Sequence, residues 1–302
     1  MQTTKKRRIT DKDDFIFYLA LIALPILQVI IFYFYVNFNS VLLAFKKYDK
    51  INDTFIWNQC ANFTKFWKEI KGGLFLTKLK NSFVVWFFVS VLGTFLSVLF
   101  SYYIFKKWKL HKTFKFILFL PSVLPSILLV TTYKFFMNEA VRQFFQEVFD
   151  KKLGALLVKP EYKLPLIYFY NVWVCFGAQI LIYSGAMDQI SPDILEAGQV
   201  DGVNSIREFF SIVIPIILPT VATFFIASVA TLFTNQANLY AFFGANLADE
   251  FHTIGYYLFY LVEKEPKMAE YGYASAIGII CTLIAFPLTL VARRLLIGKG
   301  DD

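Results

Sequence analysis

SPDILEAGQVDGVNSIREFFSIVIPIILPT, residues 191–220, is the stretch whose reading organises the rest of the chain. It sits between two long apolar runs and its first half is mostly polar, so it reads as a loop joining two membrane spans. Within it the spacing predicts a helix, a tight turn and a second helix. Ser191 is an N-cap residue followed by Pro192, which fits the first helical position because its missing N–H would be unpaired there anyway. The helix carries Ile194, Leu195, Ala197 and Val200 and stops near Asp201-Gly202, glycine being the common C-terminal stop. Ser205 and Glu208, three apart, form a capping-box pattern for a second helix that runs into the apolar Phe209–Pro215 segment.

These residues resemble the EAA motif of ABC-importer permeases: E-A-A, three residues, G, nine residues, then I-x-L-P. Glu196, Ala197, Gly202, Ile212 and Pro215 stand at the matching spacings, with Gly198 in place of the third motif position and Ile214 in place of Leu. With Asp201, Phe209 and Pro219 added, the pattern is similar to the carbohydrate-importer branch of maltose-type and glycerol-phosphate-type permeases. The likeness extends from FLPSVLP (119–125) to GYASAIG (272–278) and is weakest over 37–80 and 238–267. The resemblance implies an ATPase-coupling loop built on Glu196, Ala197, Gly198, Asp201, Gly202, Arg207, Ile212 and Pro215. It further implies cytosolic ABC ATPase subunits that carry the ATP and Mg, a second identical or homologous permease, and an extracytoplasmic solute-binding protein. No cofactor is expected on this chain itself.

Composition agrees. Of 302 residues 57% are hydrophobic and only 17% charged, against about half and a quarter in an ordinary soluble domain. Several apolar runs reach the roughly 20 residues that cross a bilayer. The expected fold is all-α, a polytopic membrane protein of six transmembrane helices at about 15–36, 83–105, 116–137, 166–185, 210–233 and 274–292. The coupling loop occupies 186–209, and the whole chain reads as a single permease domain. The net charge of +8 comes from basic residues clustered at span edges, which suits lipid headgroups and gives no reason to expect nucleic acid. KKRR at 5–8, the five lysines of 106–115 and the motif together argue for cytosolic termini and a cytosolic motif loop, and the resemblance implies a bacterial-type cell membrane. Eight lysines in 37–80 pull against that orientation. Over 138–164, Val141, Phe144, Phe145, Val148 and Phe149 recur at helical spacing, with Arg142, Glu147 and Lys151 between them. That pattern predicts an amphipathic helix lying on the outer membrane surface or capping the bundle.

Enzyme chemistry has no footing in the sequence. There is no H-E-x-x-H, no G-x-S-x-G and no phosphate-binding G-x-x-x-x-G-K-[ST]. Cys60, Cys175 and Cys281 are odd in number and scattered, so they predict neither a disulfide framework nor a metal site. Apart from Lys134, near a membrane edge where it can snorkel, the polar residues of the spans are neutral. Thr220, Thr223, Thr231, Thr234 and Asn238 align on one stripe at 100° per residue, and Asn171, Cys175 and Gln179 on another. Such groups face other helices or a water-filled path. A hydroxyl-rich solute path therefore draws on Asn171, Gln179, Thr234, Asn235 and Asn238, with helix packing as the alternative role. The function expected is import of a sugar, oligosaccharide or similar polyol by alternating access. A permease for a peptide, polyamine or anion is the alternative, followed by a secondary transporter or channel.

Overall fold

The structure is a computed structural model that describes residues 12–150, 154–263 and 268–298; KKRR and Lys151 lie outside them. Five helices are long and apolar enough to span a membrane: Phe15–Leu43, Leu74–Phe105, Pro160–Met187, Ser205–Ala230 and Tyr271–Ile297. The fold is all-α and multi-pass, with one small exception. Lys46–Asp49 and Thr54–Trp57 pair as an antiparallel hairpin, Lys46 opposite Trp57 and Asp49 opposite Thr54.

The third span differs from expectation. Instead of one helix over 116–137, His111–Val123 and Ser126–Phe149 meet at a bend of 107°. Proline disfavours helical geometry in the residue before it, and Leu124, which precedes Pro125, is extended at φ −83°, ψ 143°. The amphipathic stretch of 141–149 is helical as expected, runs on from the second arm and ends at Asp150 with φ 50°. Span five is displaced toward the N-terminus, running from Ser205 and ending at Ala230 rather than Phe233.

Residue contacts divide the chain into two compact units, 1–66 with 265–279, and 67–264 with 280–302. In the first unit the Asn62 amide ties the hairpin base to its helix, donating to Ala44 O at 2.8 Å and Lys46 O at 2.9 Å. Lys65 pairs with Glu270 at 2.6 Å and lies 4.1 Å from the centre of the Tyr273 ring.

In the second unit span four, Pro160–Met187, passes through three clusters of buried side chains, the middle one joining Val172, Phe176 and Ile180 to Ile104. Tyr170 packs with Tyr133, Phe242 and Tyr256 toward one end. Tyr183 and Met187 pack with Phe209, Val213 and Ile217 toward the other. Gly177 lets the first arm of span three come close, since a Cβ there would sit 2.5 Å from that of Ser122. Lys78, awkward for orientation in the sequence, is buried and paired with Glu69 at 3.1 Å.

The segment between Ala230 and Ile254 has little regular structure, so its buried backbone groups need side-chain partners. Asn81 donates to Glu250 O and His252 O at 2.8 and 3.1 Å. Ser82 Oγ accepts from Ile254 N at 2.7 Å, and Lys134 Nζ donates to Phe242 O at 2.8 Å. His252 is fully buried. Its Nε2 lies 2.9 Å from Leu247 O, an acceptor, so Nε2 carries the proton of the neutral ring. Nδ1 has no hydrogen-bond partner and lies 3.5 Å from Asp249 Oδ1.

Burial pushes the His252 pKa below its ordinary value; Leu247 and Asp249 pull it partly back, and Lys78 adds to the depression. The unfolded chain therefore binds a proton at about pH 6.5 that the native state refuses. Native stability should hold above that pH and fall as pH drops through it, by up to about 1.4 kcal/mol per pH unit. Thermal unfolding in detergent across that range should show the fall. His252→Gln keeps a donor for Leu247 O and should flatten the slope; an unchanged slope in the variant would assign it to other groups.

Candidate functional site

The motif loop forms as a helix, turn and helix. Pro192–Val200 is the first helix. Ser191 occupies the N-cap position, though its hydroxyl makes no capping bond. The helix closes with Asp201 N to Ala197 O at 3.0 Å, Gly202 N to Gln199 O at 3.0 Å and Val203 N to Gly198 O at 2.9 Å. Gly202 sits at φ 71°, a left-handed geometry that is costly for other residues.

Gly198 is the one buried residue of this helix. A Cβ there would come within 2.9 Å of Ile212 Cδ1, so two motif positions fourteen residues apart in the sequence touch in the fold. Alanine, which the motif has at this position, fits with a small shift of the Ile212 methyl end; a larger side chain would prise the two helices apart. Outward from this joint the loop exposes Glu196, Ala197, Gln199, Asp201 and Arg207. Two apolar side chains stand out with them, Val200 at 88% exposure and Ile206 at 71%.

The second helix is capped by Asn204, not by the expected Ser205–Glu208 box. Asn204 Oδ1 accepts from Arg207 N at 2.9 Å. Glu208 is released from the local role and turned inward. Its carboxylate is buried and pairs with Lys106, at 3.0 and 3.1 Å from the two oxygens. The Tyr102 hydroxyl lies 3.0 Å from Glu208 Oε1 and 2.9 Å from Ser205 O, its single proton shared between them. This cluster binds the loop to the end of span two. Glu208, Lys106 and Tyr102 were not singled out as site residues by sequence reasoning. The only signal was an acid at the border of an apolar run and a lysine at the border of another.

The polar residues expected along a solute path have mixed placements. Asn171 and Asn238 come together: Asn238 Nδ2 donates to Asn171 Oδ1 at 2.8 Å, and Asn171 Nδ2 donates to Ile167 O and Ala237 O at 2.8 and 3.1 Å. The stripe that joined Asn238 to the span-five threonines does not exist, because the helix has ended and Ala237 and Asn238 both have positive φ, 52° and 57°. Thr234 and Asn235 are exposed; Thr234 Oγ1 donates to Thr231 O at 3.2 Å and Asn235 Oδ1 accepts from Ala237 N at 2.8 Å. Gln179 Oε1 lies 3.4 Å from Cys175 Sγ on the same helix.

Residues 89–296, which contain this loop and five of the polar positions, match the family of binding-protein-dependent transport system inner membrane components. The chain belongs to that family. The permease is 23% identical over 295 residues to the arabinooligosaccharides transport system permease protein AraP of Halalkalibacterium halodurans, covering 94% of this chain and 89% of that one. It is also 23% identical over 257 residues to the maltose/maltodextrin transport system permease protein MalF of Vibrio vulnificus, covering 77% of this chain but only 47% of the relative. A crystal structure of a bacterial ABC transporter involved in import of the acidic polysaccharide alginate contains a chain of the same fold. The TM-score is 0.80 at 20% identity, with 96% and 98% of the two chains covered.

Loss of the Glu208 carboxylate charge should loosen the loop. Breaking a buried pair costs about 3–5 kcal/mol, and partial solvent access to Lys106 puts this pair at or below the low end. Glu208→Gln should therefore speed amide hydrogen exchange over 205–213 by roughly a hundredfold at most. Adding Lys106→Met should restore much of the protection. Unchanged exchange in the single variant would remove the carboxylate from the tether.

Proposed function

We propose that this permease is the membrane-spanning subunit of an ATP-driven importer for a sugar, an oligosaccharide or a similar polyol. The observation that carries the reading is the motif loop, whose joint is closed by Gly198 against Ile212 while Glu196, Val200 and Ile206 face outward. Short exposed apolar residues rimmed by polar ones suit insertion into a groove on another protein. In this reading the groove belongs to a cytosolic ABC ATPase, which holds the ATP and Mg, and no cofactor resides on the permease. Two ATPase subunits, a second permease and an extracytoplasmic solute-binding protein complete the assembly. Closure of the ATPases moves the loop, and the Glu208 tether passes that motion to span two.

Carbohydrate as the solute class is supported by the names of the relatives and by neutral hydrogen-bonding groups that offer donors and acceptors without fixed charge. We assign Thr234 and Asn235 to the solute path with Gln179. Asn171 and Asn238, whose amides are engaged with each other, hold the backbone that presents them.

The coupling assignment is tested by Gly202→Trp, which combines backbone strain with bulk at the docking face. The variant should remain folded in detergent, fail to retain the ATPase on purification and lose uptake of the transported sugar. Normal co-purification and uptake would refute the docking role. In the same uptake assay Asn235→Leu should slow transport in a complex that still assembles; undiminished uptake would take Asn235 out of the path.

Cytosolic termini and a cytosolic motif loop in the cell membrane follow from the same reading. Single cysteines at the exposed positions Ser205 and Thr113, in a background lacking the native cysteines, should be shielded from an impermeant thiol reagent in intact cells. A cysteine at Asn246 should react. The reverse pattern would overturn the orientation and the ATPase contact with it.

A further inference from the structure

Beside the coupling loop lies an open apolar groove of about 520 Å³ that shares Ile206 with the proposed docking face. One wall comes from Phe100, Tyr103, Trp108 and Phe114; the other includes Ile206 and Phe210 of the motif loop. The aromatic wall is continuous. Trp108 lies 5.3 Å from Tyr103, Tyr103 5.1 Å from Phe114 and Phe114 5.4 Å from Phe100, ring centre to ring centre.

Trp108 and Phe114 belong to the segment KKWKLHKTFK, residues 106–115, which holds five lysines and no acid. Only Lys106 is neutralised, by Glu208. Lys107, Lys109, Lys112 and Lys115 have no acidic partner among the described residues, and the first three are exposed. The segment is not a loose tail. Lys107 and Leu110 hold positive φ of 52° and 63°, the Tyr103 hydroxyl donates to Lys109 O, and His111 Nδ1 lies 3.1 Å from Trp108 O. Unpaired positive charge is thus carried by the short, backbone-fixed segment that supplies Trp108 and Phe114 to the apolar groove.

We infer that this groove is a binding site for an anionic phospholipid, an acyl chain lying along the aromatic wall and the headgroup phosphate held by Lys107, Lys109 and Lys112. Hydrocarbon matches the lining, and neighbouring charge of one sign selects the headgroup. Tryptophan at the boundary fits the same placement. Because Ile206 and Phe210 form part of the wall, the bound lipid touches the coupling loop directly. The site stands on the groove and its rim, whatever solute the permease carries.

Tryptophan quenching tests it. The full chain is reconstituted into mixed vesicles of phosphatidylcholine and phosphatidylglycerol, with bromine on the acyl chains of one lipid or the other. The Trp108 signal is the difference between the native chain and Trp108→Phe. At equal mole fraction, brominated phosphatidylglycerol should quench Trp108 several-fold more strongly than brominated phosphatidylcholine. The preference should vanish in Lys107→Gln/Lys109→Gln/Lys112→Gln, and in the native chain at high salt, where exposed charges are screened. Equal quenching by the two lipids in the native chain would mean ordinary surrounding lipid and overturn the inference. Quenching by neither would mean that protein covers the groove, and a preference surviving lysine removal would mean that the rim does not select; both overturn it as well.

Discussion

A backbone group buried away from water must find a hydrogen-bond partner, and in this chain that constraint decides how an irregular segment is held inside a helical bundle. Between Ala230 and Ile254 the chain forms short turns and one five-residue helix. Its carbonyls and amides are met instead by Asn81, Ser82, Lys134 and Asn171, contributed by three different helices. Each of these is a polar side chain in an otherwise apolar helix, where it would be costly unpaired. Their expense is offset only when the segment is in place, so segment and bundle order each other.

Charge follows the same logic at the opposite end of span four. Glu208 beside an apolar helix is tolerable because Lys106 and Tyr102 surround its carboxylate. Such a pair adds less to stability than to uniqueness of geometry, since breaking it strands a charge whereas forming it costs desolvation of both partners. The result is a loop whose position relative to span two is fixed while its outer face stays free.

In the broken third span the bend at Leu124–Pro125 interrupts helical hydrogen bonding and is itself exposed. Here the first arm is packed against span four through the contact of Gly177 with Ser122.

Sequence alone determined the class of the molecule, the approximate position of each span and the motif loop, because those depend on local quantities. Apolar run length sets a span, and a cap, a glycine and a register set a helix–turn–helix. The joint of Gly198 with Ile212 was half visible as motif spacing. What remained hidden was every decision made by distant partners. Glu208 looked like the third residue of its own helix cap until Lys106, 102 positions away, took the carboxylate and left Asn204 to cap. Asn238 looked like one more residue on a helical stripe, yet the stripe presumes a helix, and the helix had stopped at Ala230. Lys78 counted as a loop charge until Glu69 and the burial around it removed it from the surface. Periodicity reports which residues would share a face if an element continued; which polar group answers which is settled only when tertiary packing takes water away.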